Sequence, residues 1–359
     1  MNLLYTPREL PGSDAASALS PPPHIEGLSS ESEREEDGDA AETGHEAYLS
    51  TCRQLGITPC GRWARALSGA LEDASIPHYG IGPRGAVAVG ASLALNECLR
   101  SANLSDNRLS ADGAEVIASA LLANGALQVL NLSHNAIGAD GCRALSQALC
   151  TAEHLVSLSL AANGLGDKGV NELMGALLEG GAMLVQHLSL ADNKIGPMGA
   201  SDLVRALHDE AGGRTALRHL DLRWNNLGHS GAAILAKGLL APVDAPVPSL
   251  VQLDLQWNLL GDEGAKQLAA ALPRASSLQL LALGHNNIGA EGARALAAAV
   301  ASLGVLEALS LDSNPLGREG VHALIEGLGE LALFLIIVPL TPPGSYPSFL
   351  SLSPSLILS

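Results

Sequence analysis

Eight asparagines return at nearly fixed intervals along the chain. They are Asn107, Asn135, Asn163, Asn193, Asn225, Asn258, Asn286 and Asn314, separated by 28, 28, 30, 32, 33, 28 and 28 residues. Each closes a segment of the form LxxLxLxxN, as in LQVLNLSHN at 127–135. A unit this short cannot enclose a core of its own, so it must bury its apolar face against its neighbours in a stacked array. That requirement excludes two ordinary globular domains, which the length of 359 residues would otherwise allow.

The residues within one unit say how it is built. In LQVLNLSHNAIGADGCRALSQALC, residues 127–150, the alternation in VLNL predicts a short strand with Leu130 and Leu132 turned inward and Val129, Asn131 and Ser133 outward. Asn135 ends the strand, where its side-chain amide can bond the backbone of the adjoining turns. Gly138 and Gly141 permit the turn and a close approach of backbone to helix. Ala144, Leu145, Ala148 and Leu149 then form an apolar helical stripe of small residues that lets neighbouring helices approach. The residue before the second glycine is acidic in five repeats (Asp112, Asp140, Glu263, Glu291, Glu319), at the expected helix N-terminus, where the dipole favours negative charge. A composition 47% hydrophobic but only 3% aromatic agrees, since identical stacked units are filled by Leu, Ala, Ile and Val.

The recurring LxxLxLxxNxIGxxG with its helix attached resembles the ribonuclease-inhibitor-like class of leucine-rich repeats, also found in the sensor regions of NLR proteins and in the RanGAP family. The resemblance covers residues 75–331, a degenerate first repeat with Tyr79 in the asparagine position and about eight repeats after it. It implies an α/β leucine-rich-repeat solenoid, a horseshoe with a parallel sheet on the concave side and helices on the convex side. It implies no particular ligand.

The flanks depart from the repeat. Residues 47–74 carry mixed helical periodicity and are expected to cap the N-terminal end of the core. Residues 1–46, with PPPH and SSESEREEDGD, are too poor in apolar side chains to fold and are expected to be a disordered acidic tail. Within it Ser30 and Ser32 each have Glu three residues on, a pattern acidophilic kinases accept and a solvating tail also shows. Residues 332–359 are apolar and rich in Pro and Ser. The period would place Phe334 and Ile337 on leucine positions but Pro339 on the third, which predicts one broken capping strand and an unstructured tail. The prolines also interrupt the roughly 20 apolar residues that a membrane span needs. The insertions HDEAGGRTA (208–216) and APVDAPVPS (241–249) are expected to bulge where helix returns to strand.

Charge and motif content bound the function. The net charge is −17, of which residues 1–50, with 11 acidic and 2 basic side chains, hold −9. Neither a nucleic-acid backbone nor an anionic membrane is the expected partner of such a chain. Five cysteines without a CxxC pair, and no secretory apolar segment after the start, point to the cytoplasm. The class of repeats also occurs in cilia and flagella. The NLS triplets at Asn103 and Asn131 lie inside expected strands and are read as structural. No GxxxxGK[ST], HExxH or GxSxG is present, so neither catalysis nor a cofactor is expected.

What remains is a surface. The outward strand positions are mostly small, but their large polar members converge on the fourth to sixth asparagine repeats: His187, His219 and Gln252 in one column, Asp221 and Asp254 in the next, Arg223 and Gln256 in the third. Trp224 and Trp257 stand beside them, one step before the asparagine. A metal at His187 and His219 lacks a third ligand. Two aromatics beside arginine have the makeup of a protein-binding hot spot; alternatively each indole covers the turn of its neighbour, and Trp at this place is a known variant in NLR-type repeats. The expected function is a monomeric, non-catalytic scaffold that binds a protein through these nine residues. The other reading is a RanGAP-like activator of a small GTPase, which would order its partner's catalytic residues.

Overall fold

A computed structural model describes residues 43–178, 184–207, 216–240, 250–301 and 306–328. Apart from residues 43–46 and 216, the acidic tail with Ser30 and Ser32, both insertions and the apolar C-terminal tail lie outside the described residues.

Nine three-residue strands form one sheet: β1 Asp73–Ser75, β2 Ser101–Asn103, β3 Val129–Asn131, β4 Ser157–Ser159, β5 His187–Ser189, β6 His219–Asp221, β7 Gln252–Asp254, β8 Leu280–Ala282 and β9 Ala308–Ser310. They pair in chain order, all parallel, so each strand touches only its sequence neighbours. A parallel connection needs a crossover, and here each crossover contains a helix on the other side of the core. In register, Leu130 pairs with Leu158, Leu158 with Leu188 and Leu188 with Leu220, and all are buried. The architecture is the α/β horseshoe that the period requires.

The asparagines hold successive turns together. Asn135 is fully buried. Its Nδ2 donates to the carbonyls of Leu104 (3.0 Å) in the preceding repeat and of Leu132 (2.9 Å) and Ser133 (3.1 Å) in its own. Its Oδ1 accepts from the amides of Asn107 (2.9 Å) and Leu109 (3.3 Å), so backbone groups with no partner in sheet or helix are satisfied inside the core. Asn163 and Asn193 repeat these bonds. The NLS asparagines serve the backbone too: Asn103 and Asn131 accept from the amides of Ser105 and Ser133 at 3.0 and 2.9 Å.

The residue before each asparagine carries a left-handed backbone. Its φ is 52° at Asp106, 59° at His134, 51° at Asp192, 57° at Trp224 and Trp257, and 55° at His285. Turn amides bridge the rungs as well, Asp192 N to Arg223 O at 2.9 Å and Trp224 N to Gln256 O at 2.9 Å. The side chains of this position therefore form a column along one edge, where strand passes to helix.

Helices pack through small residues. In helix α5, Gly138–Thr151, a Cβ on Gly141 would stand 2.5 Å from Ile137 Cγ2 and 3.2 Å from the Cα of Ala111 on the preceding helix. Gly141→Ala gains helix propensity of roughly 1 kcal/mol but meets backbone that cannot rotate away. The collision wins, with an expected net loss of about 1 kcal/mol or more in urea unfolding followed by circular dichroism.

Helices α1, His45–Leu55, and α2, Gly61–Ser68, precede the first strand and bury Tyr48, Cys52, Trp63 and Leu67. Trp63 Nε1 donates to Ser92 Oγ at 3.1 Å, and the amide of Cys60 donates to Tyr48 Oη at 2.7 Å. Tyr79, in the asparagine position of the first rung, is half exposed.

Candidate functional site

The sheet brings the nine sequence-selected residues together on β5, β6 and β7 and the turns that follow them. His187 and His219 are paired in register, their ring centroids 4.1 Å apart and edge to face. Burial depresses the affinity of both for protons. Arg218 adds to this at His187, and His187 and then Arg218 add to it at His219, whose pKa falls to about 4. Two neutral imidazoles result at neutral pH. His187 Nδ1 is buried without a hydrogen-bond partner. Among the described residues no three His, Cys, Asp or Glu side chains converge to hold a metal.

Asp221 and Asp254 lie on the sheet face but beneath its surface, at 0% and 5% exposure. Neither is presented to a partner as an open charge. Asp221 Oδ2 accepts from Ser189 Oγ at 2.9 Å and Oδ1 from the Arg223 amide at 3.1 Å, and the Arg223 guanidinium lies 3.1 Å from Oδ2. The carboxylate thus fixes Arg223 in place. Asp254 accepts from the amide of Gln256 at 3.0 Å. Burial, then the neighbouring Asp221, push the Asp254 pKa up to about 7. Burial also raises Asp221, against the pull of Arg223.

A raised carboxyl pKa has a definite sign in stability. Between about 3.8 and 7 the folded chain holds a proton that the unfolded chain has released, so the ionisation penalty grows through that window and is complete above it. Asp254→Asn keeps an oxygen for the Gln256 amide, as Asn131 does in the same column for Ser133. It is expected to stabilise the protein by about 1 kcal/mol or more at pH 8.5 and by nothing near pH 4. Urea midpoints at the two values check this; an equal gain at both would assign the effect to something other than ionisation.

The tryptophans form part of a longer stack. Trp224 and Trp257 lie face to face with centroids 4.0 Å apart and planes 10° apart, and Trp257 stacks in turn on His285 at 3.7 Å and 11°. His285 Nε2 lies 3.7 Å from the Asp312 carboxylate, which also accepts from Ser310 Oγ. Gly284 makes room for that carboxylate, since a Cβ there would stand 2.5 Å from Asp312 Oδ1. Trp257 is covered on both faces and partly buried, whereas Trp224 is 50% exposed. Leu259, two residues after Trp257 on the same edge, is 71% exposed.

Towards β3 the outward residues shrink and the face sinks into a hollow of about 180 Å³. Ser133, Ser157, Ser159 and Ala161 line its floor, with His187 and Arg223 at its side. Sequence reasoning missed His285 and Asp312 as supports of the aromatic pair. His285 stands in the column of the tryptophans, and the signal for it was its place one step before an asparagine.

Cys52, Cys60, Cys98, Cys142 and Cys150 are free thiols, and burial pushes Cys142 up to about 12, far from a reactive thiolate. No helix of the described residues is long and apolar enough to cross a membrane.

Comparison with known proteins gives the repeats a name. A family profile described as "Leucine Rich repeat" matches seven segments, residues 95–118, 126–146, 151–174, 182–204, 215–236, 248–269 and 274–297. No curated protein matches the chain. Among solved structures, the chain is similar to an internalin (inlF) from Listeria monocytogenes, at 19% identity and a TM-score of 0.38, over 66% of this chain and 61% of that one. It is similar also to the protein of a TLR13–ssRNA13 complex, at 19% identity and a TM-score of 0.36, over 64% of this chain and 32% of that one. The chain thus spans less than two thirds of either structure. Seven tandem profile matches on a nine-stranded parallel sheet backed by helices identify the fold as a leucine-rich-repeat solenoid.

Proposed function

We propose that the chain is a non-catalytic scaffold that binds a protein partner on the sheet face and along the strand-to-helix edge at β5 to β7. The observation that carries this reading is the Trp224–Trp257–His285 stack, which ends in an indole half exposed to solvent beside a guanidinium fixed by a buried carboxylate. A folded chain gains little by leaving so large an apolar ring open, and Trp and Arg are over-represented among the residues that dominate protein interfaces. The adjoining hollow, floored by small hydroxyl side chains, would admit one side chain of the partner. A helix in each unit and the 28-residue period support placing the repeats in the ribonuclease-inhibitor-like class.

The test is positional. A photo-cross-linking residue is placed in the full chain at Gln252 on β7 or at Leu259 on the edge beyond it, and in separate variants at Arg143 or Gln147, exposed on helix α5. The reading expects adducts with one cellular protein from the first two positions only. Adducts confined to the helix positions would move the binding surface to the convex side and end the proposal.

A further inference from the structure

The aromatic stack has one anchored end and one open end, and the open end faces an acid. At the anchored end His285 rests against Asp312. At the other, Trp224 has Trp257 on one face only and keeps half of its surface in solvent. Its column neighbour in the preceding repeat is Asp192, whose amide bonds the carbonyl of Arg223, the residue just before Trp224. Rings spaced 4.0 and 3.7 Å apart advance one per rung, so the next place in the stack lies over Asp192, and no ring fills it. The Asp192 carboxylate is exposed and makes no ion pair among the described residues.

The same column shows that side chains on adjacent rungs reach each other. At the N-terminal end His78 Nδ1 meets Asp106 Oδ2 at 2.6 Å across one rung. Asp192 has no such neighbour on its other side, because the residue one rung earlier is Ala162. The slot against the open face of Trp224 is therefore bordered by Asp192, with only the small Ala162 one rung further on.

We propose that this slot binds the guanidinium of an arginine side chain on the protein partner, stacked on the open face of Trp224 and paired with Asp192. This deepens the scaffold reading and rests on it. A guanidinium suits both walls at once: its plane stacks on an aromatic face, and its fork of N–H groups matches a carboxylate. A lysine ammonium is more strongly hydrated and has no plane to stack. The net charge of −17 favours a basic partner on the same grounds.

The experiment uses the full chain labelled with ¹⁵N, and Nα-acetyl-arginine amide as the probe. The indole N–H resonances of Trp224 and Trp257 are assigned with Trp224→Phe. Trp63, buried and bonded to Ser92, reports that the fold is intact. The expected result is a saturable shift of the Trp224 resonance with the arginine amide and none with the neutral citrulline amide. Asp192→Asn, a change on an exposed side chain, is expected to raise the midpoint about threefold while Trp63 stays in place. An equal response to citrulline, tighter binding of Nα-acetyl-lysine amide, or a midpoint indifferent to Asp192→Asn would each overturn the assignment. A partner that cross-links at Leu259 while the arginine amide leaves Trp224 unmoved would keep the scaffold reading and remove the arginine site.

Discussion

Asn135→Ala is expected to lower stability by about 4 kcal/mol, more than any other single change considered above. The side chain is fully buried and bridges two repeats. Its removal strands the amides of Asn107 and Leu109 and withdraws a donor from the carbonyls of Leu104 and Leu132. Water cannot reach these groups in a core lined by leucine, and each buried group left without a partner costs about 1–3 kcal/mol, partly offset by relaxation. Asn287→Ala is the control: also an asparagine on the same edge, but exposed and outside the ladder, and expected to lower stability by only about 1 kcal/mol, because its φ of 56° suits asparagine better than alanine. Urea unfolding followed at 222 nm compares the two. Equal midpoints would show that the ladder bonds contribute nothing net over solvation.

The second large effect falls on binding. Trp224→Ala and Trp257→Ala are each expected to weaken partner binding by about 2 kcal/mol or more, measured by titration calorimetry with the cross-linked partner once purified. Their effects on the free protein should be small. Trp224 buries one face and gives up a single stacking contact, worth about 1 kcal/mol. Its left-handed backbone, with φ of 57°, is no more costly for alanine than for tryptophan. Trp257 lies between two rings and loses more, yet its removal empties no closed core, because the stack runs along an open edge. Substitutions that lower the melting temperature sharply and spare affinity would assign both rings to the turns they cover.

The fold was legible because the asparagine spacing and the inward leucines are one-dimensional signals of a one-dimensional structure. The columns followed from the same count: His187 does pair with His219, and Asp221 with Asp254. What the count could not convey was depth. Asp221 and Asp254 occupy outward positions, yet both carboxylates are buried, and Arg223 lies against Asp221. Nor could it show that His285 continues the tryptophan pair, since stacking depends on ring orientation and a histidine in the column reads as one polar residue among several. The same holds for Asp192, whose meaning comes from the open indole beside it.

The ladder also has a direction. The amide of Asn107 is received by Asn135, that of Asn135 by Asn163 and that of Asn286 by Asn314, so each of these turns is closed by the unit that follows it. On the ribosome, where the N-terminal units emerge first, a repeat remains open until its successor has been synthesised. The nascent array then matures one unit behind the growing end, and an interrupted translation leaves a single unfinished turn rather than a collapsed chain. Duplication of a whole unit in the gene meets the same rule, since a new repeat brings the side-chain oxygen that receives its predecessor's amide.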